Sequence, residues 1–385
     1  MKLFDVYPLM PIKPSKAEGS WIWNENNISY LDLYGGHAVI SVGHSHPYYI
    51  EKITQQLNRI GFYSNSVINP LQDELAFKLG EASSYQDYRL FLCNSGAEAN
   101  ENALKLASFH TNRKKVIAFT KSFHGRTSLA VATTNDTSIQ AEINKTHEVV
   151  FLPLNDEEAF SNAMNESVCA VIIEGIQGVG GIQIPNNSFL QLIKKTCEKY
   201  GSVFIADEVQ SGYARTGKFF AHQYAHVIPD IISIAKGMGN GFPVGGILIS
   251  PEFKSKHGLL GTTFGGSHLA CAASIAVLDI IKNENLIEES YTKGEQWIKT
   301  LKQIPGIKEV RGKGLMIGLE FDFPIAELKN KLTNDYRLLV GTSSNKNVIR
   351  LLPALTIKQE EMNLFNNALT QLLTNQNKKN HEVFH

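Results

Sequence analysis

The sequence predicts an α/β protein built on a mostly parallel, doubly wound sheet, followed by a smaller α+β domain. Three observations carry that expectation. Short apolar runs of strand length recur at 89–93, 115–119, 149–153, 168–174, 202–207, 231–235 and 245–249. Amphipathic stretches that fit helices lie among them at 70–83, 97–113, 188–200 and 267–283. Strands that are apolar on both faces and alternate with helices imply a parallel sheet covered on both sides. After about residue 284 the texture changes to charged helices and glycine-rich strand pairs.

Taken in order, Trp21 to Leu33 reads as a small hairpin, with apolar residues alternating on either side of an Asn-rich turn. Gly35-Gly36-His37 and Gly43-His44-Ser45-His46-Pro47 then break the chain before a helix that begins near Pro47. His44 and His46, one residue apart beside Gly and Pro, suit the turn into that helix better than a metal site. The alternating helices and strands follow from about residue 70. The C-terminal part reads as a charged helix over 285–304, a strand pair around Arg311-Gly312-Lys313-Gly314 and Met316 to Phe321, a strand at Val348 to Leu352, and a helix from about 357. The expected division is an N-terminal segment, 1–55, packing with a small domain, 285–385, and a large domain, 56–284. Asn375 to His385 is polar enough to fray. No internal repeat or low-complexity linker is visible.

Length and composition bound the function. At 385 residues, two domains are the natural expectation. Lys and Arg total 37 against 37 Asp and Glu, so nothing points to nucleic acid or a membrane surface as partner. The longest apolar runs are too short to span a bilayer, and the N-terminus carries Asp5 and Pro8 where a signal peptide needs an unbroken apolar core. A cytoplasmic location is expected. The four cysteines, Cys93, Cys169, Cys197 and Cys271, are scattered in apolar surroundings without metal-ligand spacing and read as buried thiols.

The chemistry gathers at strand ends. The 202–207 run terminates in Asp207 and the 231–235 run in Lys236; in a parallel sheet both reach the carboxyl edge, where ligands of such folds sit. A lysine amine there can form a Schiff base with a pyridine aldehyde, and an aspartate can keep the pyridine nitrogen protonated. Either residue alone is ordinarily a solvated strand terminus. Glu174 ends another apolar run before glycines and needs a partner such as an arginine. Ser95-Gly96-Ala97-Glu98 opens a helix with capping-box spacing and small residues, which fits an ordinary capped helix or a phosphate cradle. Phe123 is placed to stack on a flat ring or to fill the core, and Arg126 to grip a carboxylate or to sit on the surface. Thr262 and Thr263 put two hydroxyls in a turn before a helix.

Together these segments resemble the class III, or ornithine-type, aminotransferases of fold type I, which use pyridoxal 5'-phosphate. The matching stretches are Ser95-Gly96-Ala97-Glu98-Ala99-Asn100-Glu101, Phe123-His124-Gly125-Arg126, Glu174-Gly175-Ile176-Gln177-Gly178, Asp207 to Gly217, Lys236-Gly237, Gly261 to Gly266 and Arg311 to Leu315, in the family's order across about residues 18 to 355. The resemblance implies that Lys236 is the Schiff-base lysine and that Asp207 pairs with the pyridine nitrogen. It implies further that Gln210 approaches the ring's phenolic oxygen, that Phe123 stacks on the ring, and that Ser95, Gly96 and Ala97 hold the phosphate. Thr263 would reach the cofactor phosphate of the other subunit, because the family is dimeric. Arg126 is similar to the arginine that takes an acylornithine α-carboxylate, Arg350 to the one that takes a 2-oxoglutarate carboxylate, and Glu174 to the acid that pairs with that arginine while the ornithine-type substrate is bound.

The chain is most similar to the acetylornithine branch of the family. That implies transfer of the δ-amino group of N-acetylornithine to 2-oxoglutarate, yielding N-acetylglutamate 5-semialdehyde and glutamate, in arginine biosynthesis. N-succinylornithine, ornithine, 4-aminobutyrate and N-succinyldiaminopimelate remain alternative substrates, with a non-catalytic cofactor-binding protein as the rival of a different class. Two departures stand out. Ser267-His268 replaces the family's usual Asn-Pro, with Ser267 still a good helix cap. His37 stands where relatives carry small or apolar residues, and is expected at the acyl end of the substrate.

Overall fold

The computed structural model describes residues 1–382, with side chains through Asn375. The expected frayed end, from Asn375 to His385, falls almost wholly outside the residues whose side chains are described. A seven-stranded sheet forms the centre. In spatial order its strands are Arg89–Cys93, Gly245–Ile249, Ile231–Ile234, Val203–Asp207, Val168–Glu174, Lys115–Phe119 and Val149–Leu152. The last five run parallel to one another, whereas Gly245–Ile249 is antiparallel to both its neighbours.

The Val168–Glu174 strand shows why the sheet is covered twice. All seven of its residues are buried. Ala170 and Ile172 face a core with Ala99, Ala103, Leu104 and Ala107 of the Gly96–Thr111 helix, while Val171 and Ile173 face Phe189, Leu190, Ile193 and Cys197 of the Asn187–Tyr200 helix. Burial of such side chains contributes on the order of 2 kcal/mol each. The Gly96–Thr111 helix stops two residues short of the expected 113 because Asn112 turns left-handed at its C-terminal cap. The charged helix starts later and ends sooner than expected, at Leu286–Leu301, after a left-handed Asn285.

Two smaller sheets flank this centre. Glu309–Lys313, Met316–Glu320 and Val348–Leu351 pair antiparallel. The hairpin strands Trp21–Asn24 and Ser29–Asp32 are joined by Pro14–Glu18 on one side and, on the other, by the two-residue strand Leu338–Leu339, parallel to Ser29–Asp32. One apolar core runs from Leu31 and Leu33 through the His268–Asn283 helix to Ile317, Ile349 and Phe365.

The strand register sets the edge where chemistry collects. Glu174 pairs in register with Asp207, and Asp207 with Ser233, three residues before Lys236. His44 and His46 do not share a ligand: His44 Nε2 lies 2.9 Å from Asp32 and His46 Nε2 lies 2.8 Å from Glu284. Among the described residues no group of three or more His, Cys, Asp or Glu side chains is placed to hold a metal, and no helix is long and apolar enough to cross a membrane.

Candidate active site

At the carboxyl edge of the sheet opens a cavity of about 390 Å³. It is lined by Ser95, Gly96, Ala97, Phe123, Arg126, Glu174, Asp207, Gln210 and Lys236 among others, so nine residues singled out in the sequence meet in one space. Arg350 stands behind Gln210, its Nη1 donating to Gln210 Oε1 at 3.3 Å. Thr263 lies elsewhere: it is exposed and does not line this cavity.

Asp207 is pinned at both oxygens. Oδ1 accepts the Val209 N–H at 3.0 Å; Oδ2 accepts Asn100 Nδ2 at 2.7 Å and lies 2.7 Å from His124 Nδ1. Asn100 is itself fixed by Ser233 Oγ at 2.6 Å and donates to the His124 carbonyl at 2.8 Å. The carboxylate is therefore oriented and nearly free of water. Neither Asn100 nor His124 carries a local sequence pattern that marks this contact. The available signal for Asn100 was a polar residue on the sheet-facing stripe of an amphipathic helix.

Lys236 is the converse. Its Nζ forms no hydrogen bond or ion pair among the described residues, and its backbone sits at φ 48, the left-handed region in which a lysine is strained. Burial lowers its pKa first of all; Asp207 and Glu174 raise it, and Arg350 lowers it again. A desolvated amine without a partner, aimed into a cavity, is a nucleophile and proton carrier.

The phosphate cradle has the same logic. Ser95 Oγ accepts the Glu98 N–H at 3.2 Å, and Glu98 Oε2 reaches back to the Asn94 N–H at 2.5 Å. That leaves the Gly96 and Ala97 N–H groups unpartnered at the positive end of a 16-residue helix. Gly125, at φ 137, closes the floor: a Cβ there would stand 2.7 Å from Ala97 Cβ. Free N–H groups, an unbonded amine and a pinned carboxylate fit pyridoxal 5'-phosphate. Gly96 and Ala97 suit its phosphate, Lys236 its aldehyde and Asp207 its ring nitrogen.

The Glu174–Arg350 pair is expected only while the ornithine-type substrate is bound, and both residues have other partners here. Glu174 does not pair with Arg350: its Oε1 accepts the Phe123 N–H and its Oε2 the Gly178 N–H, each at 3.0 Å. The buried carboxyl, with Asp207 beside it in register, has its pKa pushed up to about 7, chiefly by desolvation, which makes it a weak counter-ion. Arg350 instead donates to the Thr342 carbonyl at 2.6 Å and to the Tyr34 hydroxyl at 3.1 Å. His37, expected at the substrate's acyl end, has its Nδ1 2.5 Å from that same hydroxyl. At the other departure, Ser267 Oγ caps its helix through the Ala270 N–H at 3.3 Å, and His268 is buried with Nδ1 unpartnered.

Fold and cavity define a pyridoxal-phosphate-dependent transferase of fold type I. The chain belongs to the class III aminotransferases, whose family profile matches residues 5–373. Acetylornithine aminotransferase of Bacillus subtilis is 40% identical over 368 residues, 94% of each chain, and that of Bacillus cereus is 39% identical over 367 residues with the same coverage. Among solved structures, ornithine aminotransferase from Toxoplasma gondii, described with pyridoxal phosphate partly occupying its active site, superposes with a TM-score of 0.90 at 27% identity. The match covers 97% of this chain and 93% of that one.

Proposed function

We propose that the chain is a homodimeric, cytoplasmic aminotransferase of arginine biosynthesis. It moves the δ-amino group of N-acetylornithine to 2-oxoglutarate, giving N-acetylglutamate 5-semialdehyde and glutamate. The observation that carries the reading is the unbonded Lys236 amine in one cavity with the pinned Asp207 and Arg126 at its exposed rim, with Arg350 behind the lining Gln210. The names of the curated relatives support the substrate.

When bound, pyridoxal phosphate supplies a reactive aldehyde and a ring that takes up electron density. The chain does the rest. Ser95, Gly96 and Ala97 would hold the phosphate, Phe123 would cover the ring and Gln210 would lie toward its phenolic oxygen. Asp207, fixed by Asn100 and His124, would keep the proton on the ring nitrogen. Lys236 Nζ, held below its ordinary pKa, takes the proton from the amine-bearing carbon of the substrate and returns it later in the turnover. Arg126 takes the α-carboxylate of the donor, and Arg350 the distal carboxylate of the acceptor, so the two substrates use the cavity in turn. Glu174 braces the Phe123 and Gly178 backbone between them. Thr263 serves the partner subunit's cofactor, consistent with its exposure away from this cavity. The proposed division is a large cofactor-binding domain, 56–284, and a small domain, 285–385, with the N-terminal segment 1–55 packing against the small domain.

Rates with 2-oxoglutarate and each of N-acetylornithine, N-succinylornithine, ornithine and 4-aminobutyrate test the reading. The acetyl compound is expected to give the highest kcat/KM. Preference for the succinyl compound would change the substrate and keep the residue roles; reaction with a control alone would remove the role of Arg126.

A further inference from the structure

Arg350 is buried and hydrogen-bonded only to neutral groups, with Glu174 and Lys236 as the charges that act on it from a distance. Its Nε, Nη1 and Nη2 donate to a backbone carbonyl, to the Gln210 amide and to the Tyr34 hydroxyl, none of them an anion. The guanidinium also lies 5.6 Å from the centre of the Tyr34 ring. A guanidinium has donors only, so Tyr34 accepts from it and must send its own proton elsewhere. The other atom in reach is His37 Nδ1, at 2.5 Å. Both contacts are hydrogen bonds when that nitrogen is bare, which fixes the direction of the relay from Arg350 through Tyr34 to His37.

The backbone is shaped for this relay. Gly35, Gly36, His37 and Ala38 have φ of 55, 55, 67 and 62, one left-handed turn in which His37 and Ala38 sit against their preference. Asp32 Oδ1 pins its start through the N–H groups of Tyr34 at 3.0 Å and Gly35 at 2.8 Å. The turn carries His37 back to Tyr34, ring centres 4.7 Å apart. On the far side, Gly341 makes room for the phenol: a Cβ there would stand 2.2 Å from Tyr34 Cε2. Gly341 also exchanges backbone hydrogen bonds with Arg350 itself, at 3.0 and 2.9 Å.

We propose that Tyr34, with its proton directed to His37, is the positioning residue that presents Arg350 to the distal carboxylate of the dicarboxylic acceptor. This rests on Arg350 being the acceptor-binding arginine of the reading above. A neutral holder fixes the guanidinium while leaving its charge available to the incoming anion. A carboxylate holder would have to be displaced first. Burial, with the charges of Arg350 and Lys236, lowers the His37 pKa and so favours the bare Nδ1 the relay needs.

The test uses the holoenzyme and glutarate, a dicarboxylate that cannot react, with binding read by calorimetry, alongside KM for 2-oxoglutarate and for the amine donor. Tyr34→Phe keeps the ring and removes the hydroxyl. Its glutarate Kd and its KM for 2-oxoglutarate are expected to rise about tenfold or more, as for a lost hydrogen bond to a charged group. The donor KM should move several-fold less. His37→Ala should weaken glutarate binding in the same direction. His37→Asn, which restores an acceptor on a residue tolerant of left-handed backbone, should recover part of the loss. Glutarate binding in Tyr34→Phe within about twofold of the parent, with binding lost in Arg350→Met, would overturn the inference alone. Normal binding in Arg350→Met would overturn the assignment of Arg350 and the inference with it.

Discussion

Glu174 shows what a single buried carboxyl does at this sheet edge. Its folded pKa of about 7 exceeds the 4.5 of a free glutamate because burial disfavours the charge more than two backbone N–H groups favour it. Below about 4.5 the side chain is protonated in both folded and unfolded chains. As pH rises through 4.5 to 7 the unfolded chain releases this proton first, so folding loses stability, by roughly 3 kcal/mol in all. In the cofactor-free protein, Glu174→Gln removes that penalty. Its melting temperature relative to the parent should climb between about pH 4.5 and 7 and then level off. A pH-independent offset would mean that Glu174 is ionised throughout. At this scale, Lys236, Asp207 and Glu174 were legible because each ends an apolar run. Tyr34, Asn100 and His124 were not, since their partners lie 316, 107 and 83 residues away and no local pattern marks such a contact.

Among the elements, the join between the helix start at Gly96 and the Phe123–Arg126 loop makes the cradle. Gly125 passes so close to Ala97 that a methyl group would collide with its Cα at 2.8 Å and with its Cβ at 2.7 Å, and its φ of 137 is itself unfavourable to other residues. Gly125→Ala should therefore lower cofactor affinity by tenfold or more, about 1.4 kcal/mol, measured by titrating cofactor into the cofactor-free variant. Affinity equal to the parent would show that the cradle lies elsewhere. Most strands of the central sheet and the longer helices were readable from periodicity. The direction of Gly245–Ile249 was not, because a strand buried on both faces has the same apolar composition whichever way it runs. Leu338–Leu339, with two residues, carries no period to read.

For the whole molecule, the exposed apolar surface is the clearest feature beyond the cavity. Phe62 and Phe264 are 41% and 62% exposed, stand 5.2 Å apart between ring centres, and neighbour the exposed Thr263. Leu3, Phe4, Val6 and Leu9 are exposed as well. Surface of this kind is covered in assemblies, and the dimer proposed above, with Thr263 reaching the other copy's cofactor, would cover it. Light scattering should give twice the 42.7 kDa of one chain, and Phe264→Asp should shift the population toward single chains and weaken cofactor binding. A parent protein that remains a single chain at all concentrations would refute the shared site. The expected assembly rests on the family resemblance, since exposed apolar residues as far apart in sequence as 3, 62 and 264 have no signature in a linear sequence. The fate of the transferred nitrogen is the most direct measure of the reaction. With N-acetylornithine labelled with ¹⁵N at the δ position and 2-oxoglutarate as acceptor, the label should appear in glutamate in equal amount to the semialdehyde formed, and Lys236→Ala should form neither. Semialdehyde without labelled glutamate, or no reaction of the acetyl compound at all, would contradict the proposed transfer.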